Sequence, residues 1–249
     1  MFHIKEAERM NPEQFQMALA QHQVALTDHQ LNQFEEYYRL LVATNKHVNL
    51  TAITDEQEVY LKHFYDSLTG AFVFSKIREP LSLCDIGAGA GFPSLPLKIA
   101  FPQLRVTIVD SLNKRINFLQ DLVDKLGLDN VTLIHARAED FANAKSKHRE
   151  KFDVVTARAV ANLTVLSELC LPAVRVGGCF LAYKGRGGQE ELTAAKGAIT
   201  KLGGQLEQSA ELTLPKSDDD RQLIIIKKVK ETPKRYPRRP GIPAKKPFK

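Results

Sequence analysis

Tryptophan is missing from this sequence, and cysteine and methionine occur only three times each. Cys84, Cys170 and Cys179 are odd in number and lack the close paired spacing of a zinc site, so neither a disulfide framework nor a metal site is expected. They read as buried, reduced thiols of a cytoplasmic protein. Long apolar runs are also missing. The longest aliphatic stretch, Leu223 to Ile226, falls far short of the roughly 20 residues that a membrane span needs. The N-terminus has no apolar stretch of the secretory kind, so no membrane association is expected. Acidic residues are scarce at one end. From Lys227 onward there is one, Glu231, against ten Lys and Arg, a local charge of +9 against +6 for the whole, which leaves the rest at −3. The basicity is therefore a tail and not a face.

What is present, 249 residues with 43% hydrophobic content, can bury one substantial core and a small appendage. The stretch Leu81–Lys98 organises it. An apolar run stops at Asp85-Ile86-Gly87-Ala88-Gly89-Ala90-Gly91, and Phe92, Leu95, Leu97 and Ile99 follow as the apolar pattern of a helix. Strand, glycine loop and helix together are the means by which nucleotide-like cofactors are held at the end of a first parallel strand.

Residues 1–80 read as a helical extension packed on the core. Asn11-Pro12-Glu13 starts one helix, and Thr27-Asp28-His29-Gln30 offers a capping box for a second, in which Leu31, Phe34, Tyr38, Leu41 and Val42 recur at core spacing. Asp55 caps a third helix running to about Phe74, with His63 and Asp66 three residues apart on one face. That pair either orients a ligand or is a satisfied polar pair at the edge of a core.

Residues 81–230 read as alternating strands and helices: strands at 104–110, 131–135, 153–157 and 179–184, and helices at 113–126, 163–174 and 190–202. This is an α/β pattern, with a mostly parallel sheet and helices on both faces. The last two strands, 205–214 and 222–229, are consecutive and form an antiparallel pair. A seven-stranded sheet of this kind resembles the class I S-adenosylmethionine-dependent methyltransferase fold, and a plain dehydrogenase domain does not end so.

Cofactor choice follows the same way. Gly87, Gly89 and Gly91 run G-x-G-x-G, with Phe92 where a dinucleotide fingerprint wants its third glycine. Asp85 precedes them, where S-adenosylmethionine enzymes place an acid facing the ammonium end of the cofactor. Asp110 ends the second strand, where a carboxylate accepts ribose hydroxyls or caps the following helix. Ala138 and Glu139 follow the third strand, where adenine is usually held. Arg158 follows the fourth, facing the cleft or pairing with surface acids alongside Arg137. No metal ligand set is expected.

Asn49-Leu50-Thr51, His63-Phe64-Tyr65-Asp66-Ser67-Leu68, the glycine loop through Phe92-Pro93, Arg137-Ala138-Glu139 and Ala157-Arg158-Ala159 together resemble the bacterial ribosomal RNA small subunit methyltransferase G family, also called glucose-inhibited division protein B. The resemblance covers about residues 12–230. It implies S-adenosylmethionine as cofactor, contacted by Gly87, Gly89, Phe92, Asp110, Ala138, Glu139 and Arg158, with His63, Asp66 and Arg158 as candidate positioning residues. It implies methylation of N7 of one guanosine, position 527 in standard rRNA numbering, in the 530 loop of 16S rRNA. Guanine N7 has an in-plane lone pair and no proton, so direct in-line attack on the sulfonium methyl needs no general base.

The tail, 231–249, holds five of the twelve prolines and the rings of Tyr236 and Phe248. It is either a solubilising terminus or an extended basic segment suited to RNA, with Lys234, Arg235, Arg238, Arg239, Lys245 and Lys246 as candidate contacts. The expected partner is 16S rRNA or the small ribosomal subunit, and the protein is expected to be a monomer. Two other functions remain open from the residues: a methyltransferase of small molecules or proteins, and a non-catalytic RNA-binding protein.

Overall fold

The computed structural model describes residues 9–158 and 160–248, so Ala159 of the motif above lies outside the described residues. Its centre is a sheet of β1 (Ser82–Ile86), β2 (Arg105–Asp110), β3 (Val131–His135), β4 (Phe152–Arg158), β5 (Val174–Lys184), β6 (Gly204–Thr213) and β7 (Asp220–Lys228). The spatial order is β3-β2-β1-β4-β5-β7-β6. β3 through β5 are parallel, and β7 is antiparallel to both neighbours. The expected class I arrangement with its antiparallel ending is present.

Successive strand residues face opposite layers. In β7, Leu223 and Ile225 join the apolar cluster that contains Phe34, Leu95 and Leu119, whereas Ile224 and Ile226 join the one that contains Leu163, Leu166 and Ile199. Cys84, Cys170 and Cys179 are buried and unpaired. No helix of the described residues is long and apolar enough to cross a membrane. Because β2 and β3 extend from one side of β1 and β4 and β5 from the other, the carboxyl ends of β1 and β4 flank a crevice at the point where the strand order reverses.

The helix Asp28–Val48 is fastened to this crevice by one stripe of side chains. Both capping boxes are formed, Asn11 with Gln14 and Thr27 with Gln30. Gln30 then donates its other amide end to the carbonyl of Ile99 (2.7 Å), Gln33 donates to that of Leu126 (2.7 Å), and the Tyr37 hydroxyl donates to that of Ala90 (2.6 Å). Spaced three and then four residues apart, the three lie on one helical face. The first two satisfy carbonyls at helix C-termini, and the third reaches into the glycine loop.

Three expectations differ from the structure. The helix expected from Asp55 to about Phe74 is broken into Glu56–Val59, a π-helical turn Tyr60–Tyr65, Asp66–Leu68 and Gly70–Val73. Side chains take the carbonyls that a continuous helix would use: Ser67 that of His63 (2.5 Å), Thr69 that of Asp66 (2.6 Å), Tyr183 that of Ser67 (2.8 Å) and Arg158 that of Lys62 (3.2 Å). β5 begins at Val174, ahead of the expected 179, because Gly177-Gly178 is absorbed in the strand by a register slip against β4 between Phe152 and Val154.

The tail is the third difference: it is folded and not extended. Glu168, fully buried, receives Nε and the terminal nitrogen of Arg238 at 2.8 and 2.6 Å, together with the Arg238 backbone N–H at 2.8 Å. Tyr236 is buried, and its ring meets that of Phe248 edge-on at 5.2 Å, so both rings are used inside the protein. Lys228, also fully buried, bonds the carbonyl of Leu171, Thr232 and Glu150, while burial pushes its ammonium down to about 8. A buried carboxylate that loses its cation is costly, and the Arg238 side chain is 26% exposed, which moderates the effect. Arg238→Ala should lower stability to urea by about 2 kcal/mol. Limited proteolysis should then find new cuts after Thr232; an unchanged denaturation midpoint and digest would show that the apolar contacts alone hold the tail.

Candidate active site

The crevice holds a cavity of about 540 Å³ lined by Leu50, Thr51, His63, residues 86–90, Phe92, residues 109–111, Arg115, residues 136–139, Arg158, Val160 and Leu169. The ends of β1, β2, β3 and β4 meet there. The loop after β1 is tied to β2 twice: the Gly87 N–H donates to the Val109 carbonyl at 2.7 Å, and the Gly89 N–H to Asp110 Oδ2 at 3.2 Å. At Gly89 φ is +61° and a Cβ would project into open space, so the glycine leaves a cradle beside the backbone. Gly91 serves packing instead. A Cβ there would stand 2.6 Å from the Tyr37 hydroxyl and 2.8 Å from Leu95, so this glycine is what lets Tyr37 reach the Ala90 carbonyl.

Asp110 faces this cradle and is held by the Leu112 N–H (2.9 Å) and Arg115 (3.3 Å). Asp85 does not line the cavity. Its Oδ2 turns to the Ser94 N–H (3.1 Å) at the start of the next helix, and its Oδ1 is buried with no partner. Burial raises this carboxyl to about 7, against the opposing pull of Ser94 and of Arg158. Ala138 and Glu139 lie on the wall, but Glu139 Oε1 accepts the Gly241 N–H of the tail at 2.8 Å.

Phe92 stacks against the Tyr37 ring (5.4 Å) and against the His63 ring (4.6 Å), with the Arg158 guanidinium 5.0 Å from its centroid. Arg158 then joins the helical face to the sheet: one nitrogen donates to Asp66 Oδ2 (3.0 Å) and to the Lys62 carbonyl (3.2 Å), and the other to His63 Nδ1 (3.3 Å). Arg221 holds the second oxygen of Asp66 at 3.1 Å. Burial first, and Arg158 second, push the His63 imidazole down to about 3, so it is neutral at working pH. The three positioning candidates thus form one hydrogen-bonded unit.

That unit also walls a neighbouring cavity of about 320 Å³, whose other lining residues are Lys62, Tyr183, Lys184, Gly185 and Arg221. Sequence reasoning missed Thr51 as a site residue, and also Lys184 and Arg221, which lie at opposite ends of strands that the antiparallel β5–β7 pairing brings side by side. Of the tail cations, Lys234, Arg235, Arg239, Lys245 and Lys246 are exposed, with Arg235 over the Tyr236 ring at 5.1 Å, whereas Arg238 is held by Glu168.

A glycine cradle, a strand-end carboxylate for ribose hydroxyls, a backbone amide with a carboxylate beside it and an aromatic floor fit S-adenosylmethionine. Sheet order and site together define a class I S-adenosylmethionine-dependent methyltransferase, and S-adenosylmethionine is its cofactor. The sequence model of the GidB family, described as rRNA small subunit methyltransferase G, matches residues 30–224, and the chain belongs to that family. Proteins named ribosomal RNA small subunit methyltransferase G are similar over nearly the whole length. That of Limosilactobacillus fermentum is 66% identical over 242 residues, 96% of this chain and 99% of the relative. That of Limosilactobacillus reuteri is 65% identical over 240 residues, 96% of this chain and 100% of the relative. Among solved structures, a mutant of the 16S rRNA (adenine(1408)-N(1))-methyltransferase from Catenulisporales acidiphilia shares the fold, with a TM-score of 0.50 and 15% identity, covering 64% of this chain and 91% of that one.

Proposed function

We propose that this protein methylates N7 of a single guanosine, position 527 in standard numbering, in the 530 loop of 16S rRNA. The observation that carries the choice of atom is the state of His63. Its Nδ1 is occupied by an Arg158 donor, its Nε2 lies 2.9 Å from the Thr51 hydroxyl, and its imidazole is held down to about 3. A ring so bound has no lone pair free to take a proton. An exocyclic amine must shed a proton during methylation, whereas guanine N7 has none to lose, so a site whose histidine cannot act as a base suits N7.

S-adenosylmethionine, when bound, supplies an electrophilic methyl group. Gly87, Gly89, Asp110, Ala138 and Glu139 hold the adenosine portion, and Phe92 with the Arg158–His63–Asp66 unit forms the wall toward the second cavity. That second cavity is lined by Lys62, Lys184 and Arg221, whose charges are shared with Glu58, Glu191 and Asp66, and it would take the sugar-phosphate of the target nucleotide by exchange of these ion pairs. The exposed tail cations extend the same attraction, and the rRNA named for the relatives supports this substrate class.

The test is transfer of labelled methyl to naked 16S rRNA and to small ribosomal subunits in parallel, followed by borohydride and aniline cleavage, which cuts at N7-methylated guanosine. A single cut in the 530 loop is expected, and the better substrate tells when in assembly the enzyme acts. Labelled RNA that resists cleavage would overturn the N7 assignment.

A further inference from the structure

We propose that Thr51 is a specificity-determining residue whose hydroxyl is restricted to donating a hydrogen bond into the cavity, where it reads the O6 carbonyl of guanine and rejects the 6-amino group of adenine. The inference rests on the guanine-N7 reading above and assigns it a selecting group.

The restriction follows from a chain of donors with one allowed direction. A guanidinium has only donors, so the 3.3 Å contact between Arg158 and His63 fixes Nδ1 as the acceptor. A neutral imidazole that accepts at Nδ1 carries its hydrogen on Nε2. That hydrogen points at Thr51 Oγ1, 2.9 Å away, which must therefore accept it. The Ile53 N–H donates to the same oxygen at 3.1 Å. With both lone pairs of Oγ1 filled, the hydroxyl hydrogen is the one capacity left, and Thr51 lies on the wall of the cavity.

A threonine hydroxyl ordinarily donates or accepts as its surroundings ask, and for that reason reads bases ambiguously. The Arg158–His63 pair removes the ambiguity. On the edge that carries N7, guanine presents a second acceptor, O6, and adenine a donor, N6. A group that can only donate satisfies the first and leaves two hydrogens opposed in the second.

The backbone is built to hold Thr51 in place. Asn49 ends the helix Asp28–Val48 in the left-handed conformation, and Asn45 Oδ1 accepts both the Leu50 N–H (2.7 Å) and the Thr51 N–H (2.9 Å). The turn and the relay together anchor Thr51 through its backbone amide and its oxygen. The Arg158–His63 unit also stands between the two cavities, so the hydroxyl is one hydrogen bond from the wall that a base would pass on its way in.

The test compares wild type, Thr51→Val and Thr51→Ser on small subunits reconstituted with 16S rRNA that carries guanosine, inosine or 2-aminopurine at the target position. Inosine keeps O6 and N7, and 2-aminopurine keeps N7 but has no O6. Wild type should favour guanosine and inosine over 2-aminopurine by about ten- to a hundredfold in kcat/KM. The loss caused by Thr51→Val should be about ten- to a hundredfold greater on guanosine and inosine than on 2-aminopurine. Thr51→Ser should retain the wild-type preference. Equal loss by Thr51→Val on all three RNAs would overturn the assignment. If Thr51→Val fails to bind cofactor because it does not fold, a wild-type enzyme indifferent to 2-aminopurine still refutes it. Cleavage mapping on guanosine separates the two claims: label that is not at N7 defeats the function, whereas N7 label without O6 discrimination defeats only the role of Thr51.

Discussion

Asp85→Asn should remove a loss of stability amounting to about 4 kcal/mol that the cofactor-free wild-type protein undergoes between about pH 4 and pH 7. The group is fully buried, one of its oxygens has no partner, and its carboxyl is raised from an ordinary 3.8 to about 7, chiefly by burial. For an acid with a raised folded-state value, the native protein binds the proton more tightly than the unfolded chain does. The stabilising contribution is then complete below the unfolded value, declines as pH rises toward the folded one and is gone above it. Asparagine can still accept the Ser94 N–H and does not titrate, so the difference between variant and wild type in urea midpoints should grow in favour of the variant from pH 4 to pH 7 and level off beyond. A difference independent of pH would show that Asp85 is already ionised in the folded state.

How far the site was legible depended on whether its parts were local in the chain. The strand–glycine loop–helix unit, Asp110 at the end of β2 and Arg158 at the end of β4 were readable because parallel strands deliver their carboxyl ends to one edge whatever the sequence between them. His63 and Asp66 were readable as a face but not as a function, since the donor that joins them, Arg158, comes from more than ninety residues away. The π-helical turn was hidden for the same reason. The hydroxyls of Ser67 and Thr69 are local, but the Tyr183 and Arg158 donors that complete the break are not. The tail misled because charge and proline content describe composition alone. That Glu168, in an apolar helix, would be fully buried and need Arg238 could be seen only after the helix was packed. The third loop glycine shows the same limit: its reason lies in Tyr37, more than fifty residues earlier.

Arg158→Lys should lower kcat by about a hundredfold while costing less than about 2 kcal/mol of stability. The variant keeps the positive charge, so what it tests is geometry. The guanidinium meets Asp66, the Lys62 carbonyl and His63 Nδ1 at once and lies over the Phe92 ring, bridging the broken helix to the end of β4. An ammonium is a compact charge on a flexible stem. It can hold Asp66, but it cannot place donors on three partners in one plane or stack on the ring. Stability suffers little because Arg221 still neutralises the other oxygen of Asp66. The loss falls on position: without a fixed donor on Nδ1 the His63 ring is free to exchange tautomers, and the wall between the two cavities is no longer held against Phe92. Nitrogen-15 spectra should show a single Nε2–H tautomer for His63 in wild type and a mixture in the variant. If turnover and cofactor affinity both survive the change, Arg158 acts through its charge alone, and the ordering of His63 and Thr51 has to come from burial.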